Sequence, residues 1–209
     1  MRAATLVVSV LLVLSLATSG FAAGTATVPL KILDSRDTGC CDETPDYGIK
    51  LDFNNILDMY GNPFAQEEEV GARLLDRCVV FAPATFAPAP ITPPVEVYTD
   101  AARPGECQIV LSGTPHFAGY ETMQFTDGSG GMYAVSRVGA SVGYCDAIGS
   151  CWMRAYDSDG NMLAEVFNTI LGFEFLSIDM GEPVIHYVVW GDDDAANSAV
   201  NCVTYDDCV

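Results

Sequence analysis

Histidine and basic residues are scarce in this sequence of 209 residues. There are two histidines, and the eight cysteines include no Cys-x-x-Cys pair, so a zinc site has few ligands to be built from. Nine Lys and Arg residues stand against 28 Asp and Glu residues, which gives a formal net charge of −19. A surface of that sign repels nucleic acid and anionic lipid, so we expect neither as a partner.

Long apolar runs are absent except at the N-terminus, where residues 3–17 are almost entirely apolar. Arg2 precedes this run and the small residues Gly20 and Ala22 follow it, as in a signal peptide that is cleaved after residue 22. The alternative is an uncleaved membrane anchor, but a span needs about 20 apolar residues. We therefore predict a signal peptide at 1–22, a mature chain that is secreted or at the cell surface, and no stable membrane insertion.

Helical periodicity is nearly absent after the leader, and short runs of β-branched and aromatic residues take its place. Clusters of Gly, Asp, Asn and Pro separate these runs at spacings of roughly ten residues, which is typical of a β-sandwich or β-barrel. The predicted strands are 48–53, 95–99, 108–111, 121–125, 132–138, 151–156, 162–167, 173–178, 184–190 and 202–205. Because the mature chain is long enough for one well-filled core, we predict a single all-β domain, an antiparallel β-sandwich, over 23–209.

Three stretches of this domain have a distinct local pattern. Residues 63–75 predict the one short helix, because Pro63 suits a first turn and the acidic residues 67–69 suit the positive end of the helix dipole. Prolines between 83 and 94 predict a stiff extended loop, since proline cannot donate to a strand ladder. The apolar run 184–190 predicts a central strand that is buried on both faces.

The clearest local prediction is a β-hairpin. Residues 151–156 and 162–167 alternate in polarity, and the segment between them contains the pair Asp159-Gly160, which is a strong turn signal. Asp157, Asp159 and Asn161 also alternate, as ligands do in the first half of an EF-hand calcium loop. An EF-hand needs glycine at its sixth place and glutamate at its twelfth, and this segment has neither. We therefore interpret the segment as a hairpin turn.

The eight cysteines form an even set. In an oxidising compartment such a set predicts four disulfides rather than metal ligands or nucleophiles. Short loops and the expected meeting of the chain ends favour one pairing. The predicted pairs are Cys145 with Cys151, Cys78 with Cys107, and the adjacent Cys40 and Cys41 with Cys202 and Cys208.

Several segments together resemble a known family. They are 51–54, 141–144, 175–178, 204–207 and above all 155–163, which reads Ala-Tyr-Asp-x-x-Gly-Asn-x-Leu. This set is similar to the secreted bacterial β-sandwich domains that are often found ahead of a Pro-Glu-Pro type sorting tail. The resemblance implies a jelly-roll architecture like that of carbohydrate-binding domains. It specifies fold better than function, because the shared residues form turns and core.

A candidate binding surface lies along the first strand of the hairpin. Alternation places Trp152, Arg154 and Tyr156 on one face of residues 151–156, and the charge of Arg154 indicates that this face meets solvent. A flat aromatic surface of this kind could stack against a sugar ring. The alternative is structural: Trp152 packs over a Cys145–Cys151 bridge, and Arg154 pairs with a nearby carboxylate.

A candidate calcium site is formed by carboxylates that the chain ends would bring together. Asp52, Asp192, Asp194 and Asp206 supply hard oxygen ligands of the kind that calcium prefers. The resemblance supports a structural calcium, which sandwich domains of the carbohydrate-binding kind often hold. The alternative is that the acidic run that contains Asp192 and Asp194 is a solvated loop, as charge runs usually are. No other cofactor is expected.

These patterns predict a secreted, non-catalytic β-sandwich protein, with glycan as the leading class of ligand. One alternative is a structural protein of the envelope or extracellular matrix, for which self-association is the expected property. The other is a secreted hydrolase that acts through paired carboxylates. Such a pair must lie at a defined separation across a cleft, which the order of residues does not determine.

Overall fold

The structure is a computed structural model of the chain, and it describes residues 41, 44–65, 68–81, 98–101, 109–113, 120–193 and 199–208. Within these ranges there is one 3-10 turn, Leu75–Arg77, and no α-helix. The eleven strands are β1 Gly48–Asp52, β2 Val79–Val80, β3 Tyr98–Ala101, β4 Ile109–Ser112, β5 Glu121–Phe125, β6 Arg137–Gly143, β7 Cys151–Tyr156, β8 Met162–Phe167, β9 Glu174–Asp179, β10 Tyr187–Asp192 and β11 Ala199–Asp206. The predicted all-β fold is confirmed.

The strands form two antiparallel sheets that pack face to face. The six-stranded sheet has the order β3-β4-β11-β6-β9, with β1 also paired to β11, and the five-stranded sheet has the order β2-β5-β10-β7-β8. Pairing joins β4 to β11, β5 to β10, β6 to β9 and β7 to β8. The last eight strands are therefore one long hairpin rolled into a sandwich, which is the jelly-roll pattern.

The core lies between the sheets and follows the alternation of the strands. β10 is the middle strand of the five-stranded sheet, and all six of its residues are buried, as the apolar run at 184–190 predicted. Val188 and Trp190 belong to the core between the sheets, whereas Tyr187 and Val189 belong to a separate cluster on the outer face. Among the described residues no helix is long and apolar enough to cross a membrane.

Aromatic rings cover the outer face of the six-stranded sheet. A Cβ atom at Gly139 would lie 2.3 Å from Cζ of Phe175, and a Cβ atom at Gly143 would lie 2.7 Å from the ring of Phe173. Glycine is therefore required at both positions for the rings to lie flat on β6. Tyr144 packs edge-on against Phe173, with the ring centroids 5.2 Å apart. The rings of Tyr144, Phe173 and Phe175 thus pack on the outer face of the sheet at β6.

Three disulfides join the described cysteines, and they correct the predicted pairing in part. The bonds are Cys41–Cys202, Cys78–Cys208 and Cys145–Cys151. The Cys145–Cys151 bond is confirmed, and Cys41–Cys202 is one of the bonds that the predicted pairing of Cys40 and Cys41 with Cys202 and Cys208 allowed. The predicted Cys78–Cys107 bond is wrong because Cys78 lies against the end of β11, and no partner for Cys40 remains among Cys202 and Cys208. Cys40 and Cys107 themselves lie outside the described residues.

The predicted helix at 63–75 is wrong. Gly71 in the middle of this stretch has a φ of +47°, outside the right-handed helical region. Side chains also take the backbone N–H groups, since Ala65 donates to Glu68 Oε2. The segment instead forms turns, and Gly71 bridges to Phe81 next to β2.

Most strand predictions are close to the observed bounds. Those for β5, β7 and β8 match, and so does the hairpin between the last two. The strand predicted at 132–138 is observed as Arg137–Gly143, because a glycine-rich turn and isolated bridges fill 126–135. The two-residue β2 was not predicted. The leader at 1–22 and the proline-rich stretch at 83–94 lie outside the described residues.

Candidate functional site

The outer face of the five-stranded sheet carries a cluster of aromatic and charged side chains, which we call the aromatic face. Alternation along β7 turns Met153 and Ala155 into the core and turns Trp152, Arg154 and Tyr156 outward. The neighbouring strands β8 and β10 add further outward side chains in register. The aromatic face comprises Tyr120, Trp152, Arg154, Tyr156, Glu165, Phe167 and Tyr187.

The three predicted ligand-binding residues lie together on this face. The guanidinium of Arg154 lies over the ring of Trp152, with 3.8 Å from its central carbon to the ring centroid. Tyr120 packs against the same indole at a tilted angle, with the ring centroids 5.1 Å apart. Trp152 is consequently only 3 % exposed. It supports Arg154 and Tyr120 from beneath, and its own ring is not an open stacking surface.

Arg154 is held by a carboxylate from the next strand. Its Nε donates to Oε1 of Glu165 at 2.5 Å, and the two residues are paired in the β7–β8 register. The structural alternative is confirmed for this residue. It is wrong for Trp152, because Cys151 points into the core whereas Trp152 points to the outer face, so the indole does not pack over the Cys145–Cys151 bridge.

Two tyrosines form the other end of the aromatic face. The rings of Tyr156 and Tyr187 are stacked, with centroids 4.9 Å apart and planes 5° apart. Burial raises the pKa of Tyr187 to about 12 and also raises the pKa of Tyr156. Both phenols are therefore neutral at physiological pH, and each hydroxyl can donate and accept a hydrogen bond.

Sequence reasoning missed four members of the aromatic face. Tyr187 arrives through the long-range pairing of β10 with β7, and Tyr120, which precedes β5, arrives through the pairing of β5 with β10. Local patterns do not reveal either pairing. Glu165 and Phe167 could have been found, because the hairpin register places them opposite Arg154 and Trp152. The packing of Tyr120 also requires glycine at position 191, where a Cβ atom would lie 2.3 Å from the Tyr120 ring.

Asn168 fixes the end of β8 and therefore the position of Phe167. Its Oδ1 accepts hydrogen bonds from the backbone N–H groups of Gly149 at 2.9 Å and Cys151 at 3.0 Å. Its Nδ2 donates to the carbonyl oxygens of Ala147 and Ile170, each at 2.9 Å. One buried amide thus satisfies four backbone groups and ties the loop of the Cys145–Cys151 disulfide to the loop that follows β8.

The structure places two of the predicted calcium ligands, Asp52 and Asp206, at opposite ends of one strand pair. Asp52 pairs with Cys202 at one end of β1, whereas Asp206 pairs with Gly48 at the other end. Asp52 Oδ1 accepts the backbone N–H of Asn54 at 3.0 Å and so caps the turn after β1. Within the ranges that the structure describes, no group of three or more His, Cys, Asp or Glu side chains could hold a metal ion.

The carboxylate of Asp206 binds Ser136 and Arg137 of the same chain. Its Oδ2 accepts the backbone N–H groups of Ser136 and Arg137, each at 2.9 Å, and its Oδ1 lies 2.7 Å from a terminal nitrogen of Arg137. Burial alone would raise the pKa of Asp206, but the hydrogen bonds from Ser136 and Arg137 outweigh it and hold the pKa below its usual value. This carboxylate is a structural anion.

The other predicted calcium ligands are on the five-stranded sheet or outside the described part. Asp192 is buried at the end of β10, where its Oδ2 accepts a hydrogen bond from Oγ of Ser150 at 2.8 Å. Asp194 lies outside the described residues. Calcium binding by this chain stays a prediction.

The Asp157 carboxylate closes the β7–β8 hairpin. Its Oδ1 accepts the backbone N–H groups of Asp159 at 2.9 Å and Asn161 at 2.8 Å, and its Oδ2 accepts Nδ2 of Asn161. Burial would raise the pKa of Asp157, but these hydrogen bonds together lower it. The hairpin-turn interpretation is confirmed, since the alternating residues serve the turn.

Several buried carboxylates hold loops in place. Asp58 accepts both Nε and a terminal nitrogen of Arg73, and its other oxygen accepts the N–H groups of Tyr60 and Asn62. Glu174 accepts from the backbone and hydroxyl of Thr169. These acids are structural, and the hydrolase alternative draws no support from them.

Comparison with known proteins does not assign the chain to a family. No protein-family model matches the chain, and no curated protein matches it. The similarity to secreted bacterial β-sandwich domains stays a prediction. The fold and the aromatic face therefore carry the functional argument.

Proposed function

We propose that this protein is an exported, non-catalytic β-sandwich that binds a glycan on the aromatic face. The observation that carries the proposal is the arrangement on one outward face of aromatic rings around the Arg154–Glu165 pair. Binding sites for small polar molecules combine apolar and aromatic walls with a few well-placed polar groups. The C–H face of a sugar packs on such rings, and its hydroxyls bond to the charged pair.

The accessible part of the aromatic face is its centre and its β8 edge. The side chains of Arg154 and Glu165 are 32 % and 25 % exposed, and Phe167 is 40 % exposed. Tyr156 is half-buried against Tyr187. A sugar chain would therefore contact Phe167, the charged pair and Tyr156, with Trp152 as the rigid support beneath.

Export of the chain is supported by the disulfides. Three disulfides among the described cysteines indicate an oxidising environment. The leader pattern at 1–22 adds a signal peptide to this proposal. A disulfide-stapled sandwich of high negative charge suits a protein that works outside the cell or on its surface.

A polysaccharide pull-down tests the function. Tyr156→Ala removes a ring from the aromatic face and is expected to weaken binding roughly tenfold, as a hot-spot residue does. Tyr60→Ala is the matched control, because Tyr60 is 73 % exposed on the loop after β1, away from this face. No glycan bound by the wild type, or equal binding by the wild type and Tyr156→Ala, would exclude the proposal.

A structural role in the envelope or matrix is the second candidate. The strand β8 is an edge of the five-stranded sheet, and its exposed Met162 and Phe167 offer a site for pairing with another chain. Sedimentation velocity over a range of protein concentrations tests this role. Growth of large assemblies that Met162→Lys abolishes would favour it, since Met162 is 53 % exposed on β8, and a monomer at all concentrations would count against it.

A further inference from the structure

One ion pair supplies the charge of the aromatic face. Thr122, Val189, Arg154 and Glu165 follow one another across the paired strands β5, β10, β7 and β8, so they form one row on the outer face. Two of the four are uncharged. The guanidinium and the carboxylate of the other two are directly bonded, so the row has no net charge although both groups reach solvent.

We infer that Glu165, by neutralising Arg154, makes the aromatic face accept neutral sugars and reject uronic acids. This inference rests on the proposed function. A uronate would need a free guanidinium, because bidentate hydrogen bonding to arginine is the strong way to hold a carboxylate. Glu165 already takes the Nε donor of that guanidinium and neutralises its charge, and the net charge of −19 adds long-range repulsion of an anionic polymer. Neutral hydroxyls bond to either member of the pair.

The position of Arg154 does not depend on Glu165 alone. Its guanidinium also stacks on the Trp152 ring, 3.8 Å from the ring centroid, and Tyr120 packs against the same ring. When Glu165 loses its charge, stacking keeps the guanidinium on the aromatic face. The Glu165→Gln variant should therefore present a free, correctly placed cation. Glu165 is in this sense a specificity-determining residue.

Affinity gel electrophoresis can measure this switch of specificity. The proteins migrate through gels that contain a neutral glucan, mannan, xylan or galactan, or else polygalacturonate or alginate, each compared with a gel that lacks polymer. We expect at least one neutral polymer and neither polyuronate to retard the wild type. Glu165→Gln should gain about tenfold in affinity for a polyuronate, the effect of one charge-assisted hydrogen bond.

Two variants separate this effect from general charge. Glu182→Gln makes the same change on an exposed loop, and it should gain no polyuronate binding. The double variant Arg154→Gln with Glu165→Gln should lose the polyuronate affinity that Glu165→Gln gains, because it lacks the guanidinium. Thermal unfolding checks that each variant is folded, and each should keep a single cooperative transition.

The outcomes distinguish the inference from the proposed function. If the wild type binds a neutral polymer but Glu165→Gln gains no polyuronate binding, the inference is overturned and the glycan-binding function stands. Retardation of the wild type by polyuronates as strong as by neutral polymers overturns the inference in the same way. If no polymer retards the wild type or Glu165→Gln, both fall.

Discussion

Arg137 and Asp206 lie 69 residues apart in the sequence and are joined by an ion pair of 2.7 Å. Arg137 begins β6 and Asp206 ends β11, so the pair closes one end of the six-stranded sheet. The guanidinium also lies over the ring of Tyr47, 4.9 Å from its centroid. This contact fixes the segment before β1 against the end of the chain.

Asp206→Asn is expected to lower the free energy of unfolding by about 1–3 kcal/mol, because the hydrogen bonds it loses are to a charged acceptor. Asp207→Asn is the control, since Asp207 is an exposed neighbour. The folded pKa of Asp206 is depressed, so its contribution is present above the unfolded pKa of about 3.9 and is lost as pH falls through the folded pKa. Urea unfolding should show the difference between variant and wild type shrinking below about pH 4. A difference that is constant with pH would contradict the assignment.

Asn168→Ala is expected to destabilise the protein by about 2–3 kcal/mol, because buried backbone groups lose their partners. Asn161→Ala is the control, since its amide makes one exposed hydrogen bond to Asp157 in the hairpin turn. Its cost should be about 1 kcal/mol or less. Denaturant unfolding of both variants measures the difference. Equal stability of the two would show that the four bonds of Asn168 do not anchor its loops.

Any effect of calcium on the melting temperature is expected not to depend on Asp52. The turn after β1 already uses Oδ1 of Asp52, and Asp206 lies at the far end of the strand pair. The melting temperatures of the wild type and Asp52→Asn should respond alike to chelator and to excess calcium. A rise with calcium in the wild type that the variant loses would restore the predicted site, since a bound ion stabilises only the folded state.

A fourth disulfide is expected between Cys40 and Cys107. The other six cysteines are paired with one another, and an oxidising compartment leaves few thiols free. The described neighbours of both meet at one place: Cys41 is bonded to Cys202 beside Asp52, and Asn54 Oδ1 accepts the N–H of Ile109 at 2.9 Å. Thiol titration under denaturing conditions should detect a free thiol in Cys40→Ser and in Cys107→Ser, and none in the wild type or the double variant. A free thiol in the wild type would exclude the bond.

The sequence predicted those features that depend on neighbouring residues. The alternation of residues 151–156 and the turn at Asp157 give β7, β8 and their hairpin, and with them the outward set Trp152, Arg154 and Tyr156. The predicted jelly-roll-like sandwich agrees with the observed strand order. The same hairpin register places Glu165 opposite Arg154, so this pair too depends on neighbouring residues.

Features that depend on distant pairing were missed. Cys78 and Cys208 are 130 residues apart, and only the folded path shows that they meet. The region 63–75 has the composition of a helix start, but Gly71 has a φ of +47° and bridges to the distant Phe81, which interrupts a helix. The burial of Trp152 was also not predictable, because Tyr120 arrives from beyond the hairpin.

Binding of a glycan to the outward face of the five-stranded sheet can be located by hydrogen–deuterium exchange. The exchange is measured with and without the polysaccharide that is retained in the pull-down. We expect added protection in β7 and β8, around Arg154, Tyr156 and Glu165, and none in β6 on the opposite sheet. Protection confined to the six-stranded sheet, or no protection at all in a saturated complex, would contradict the account.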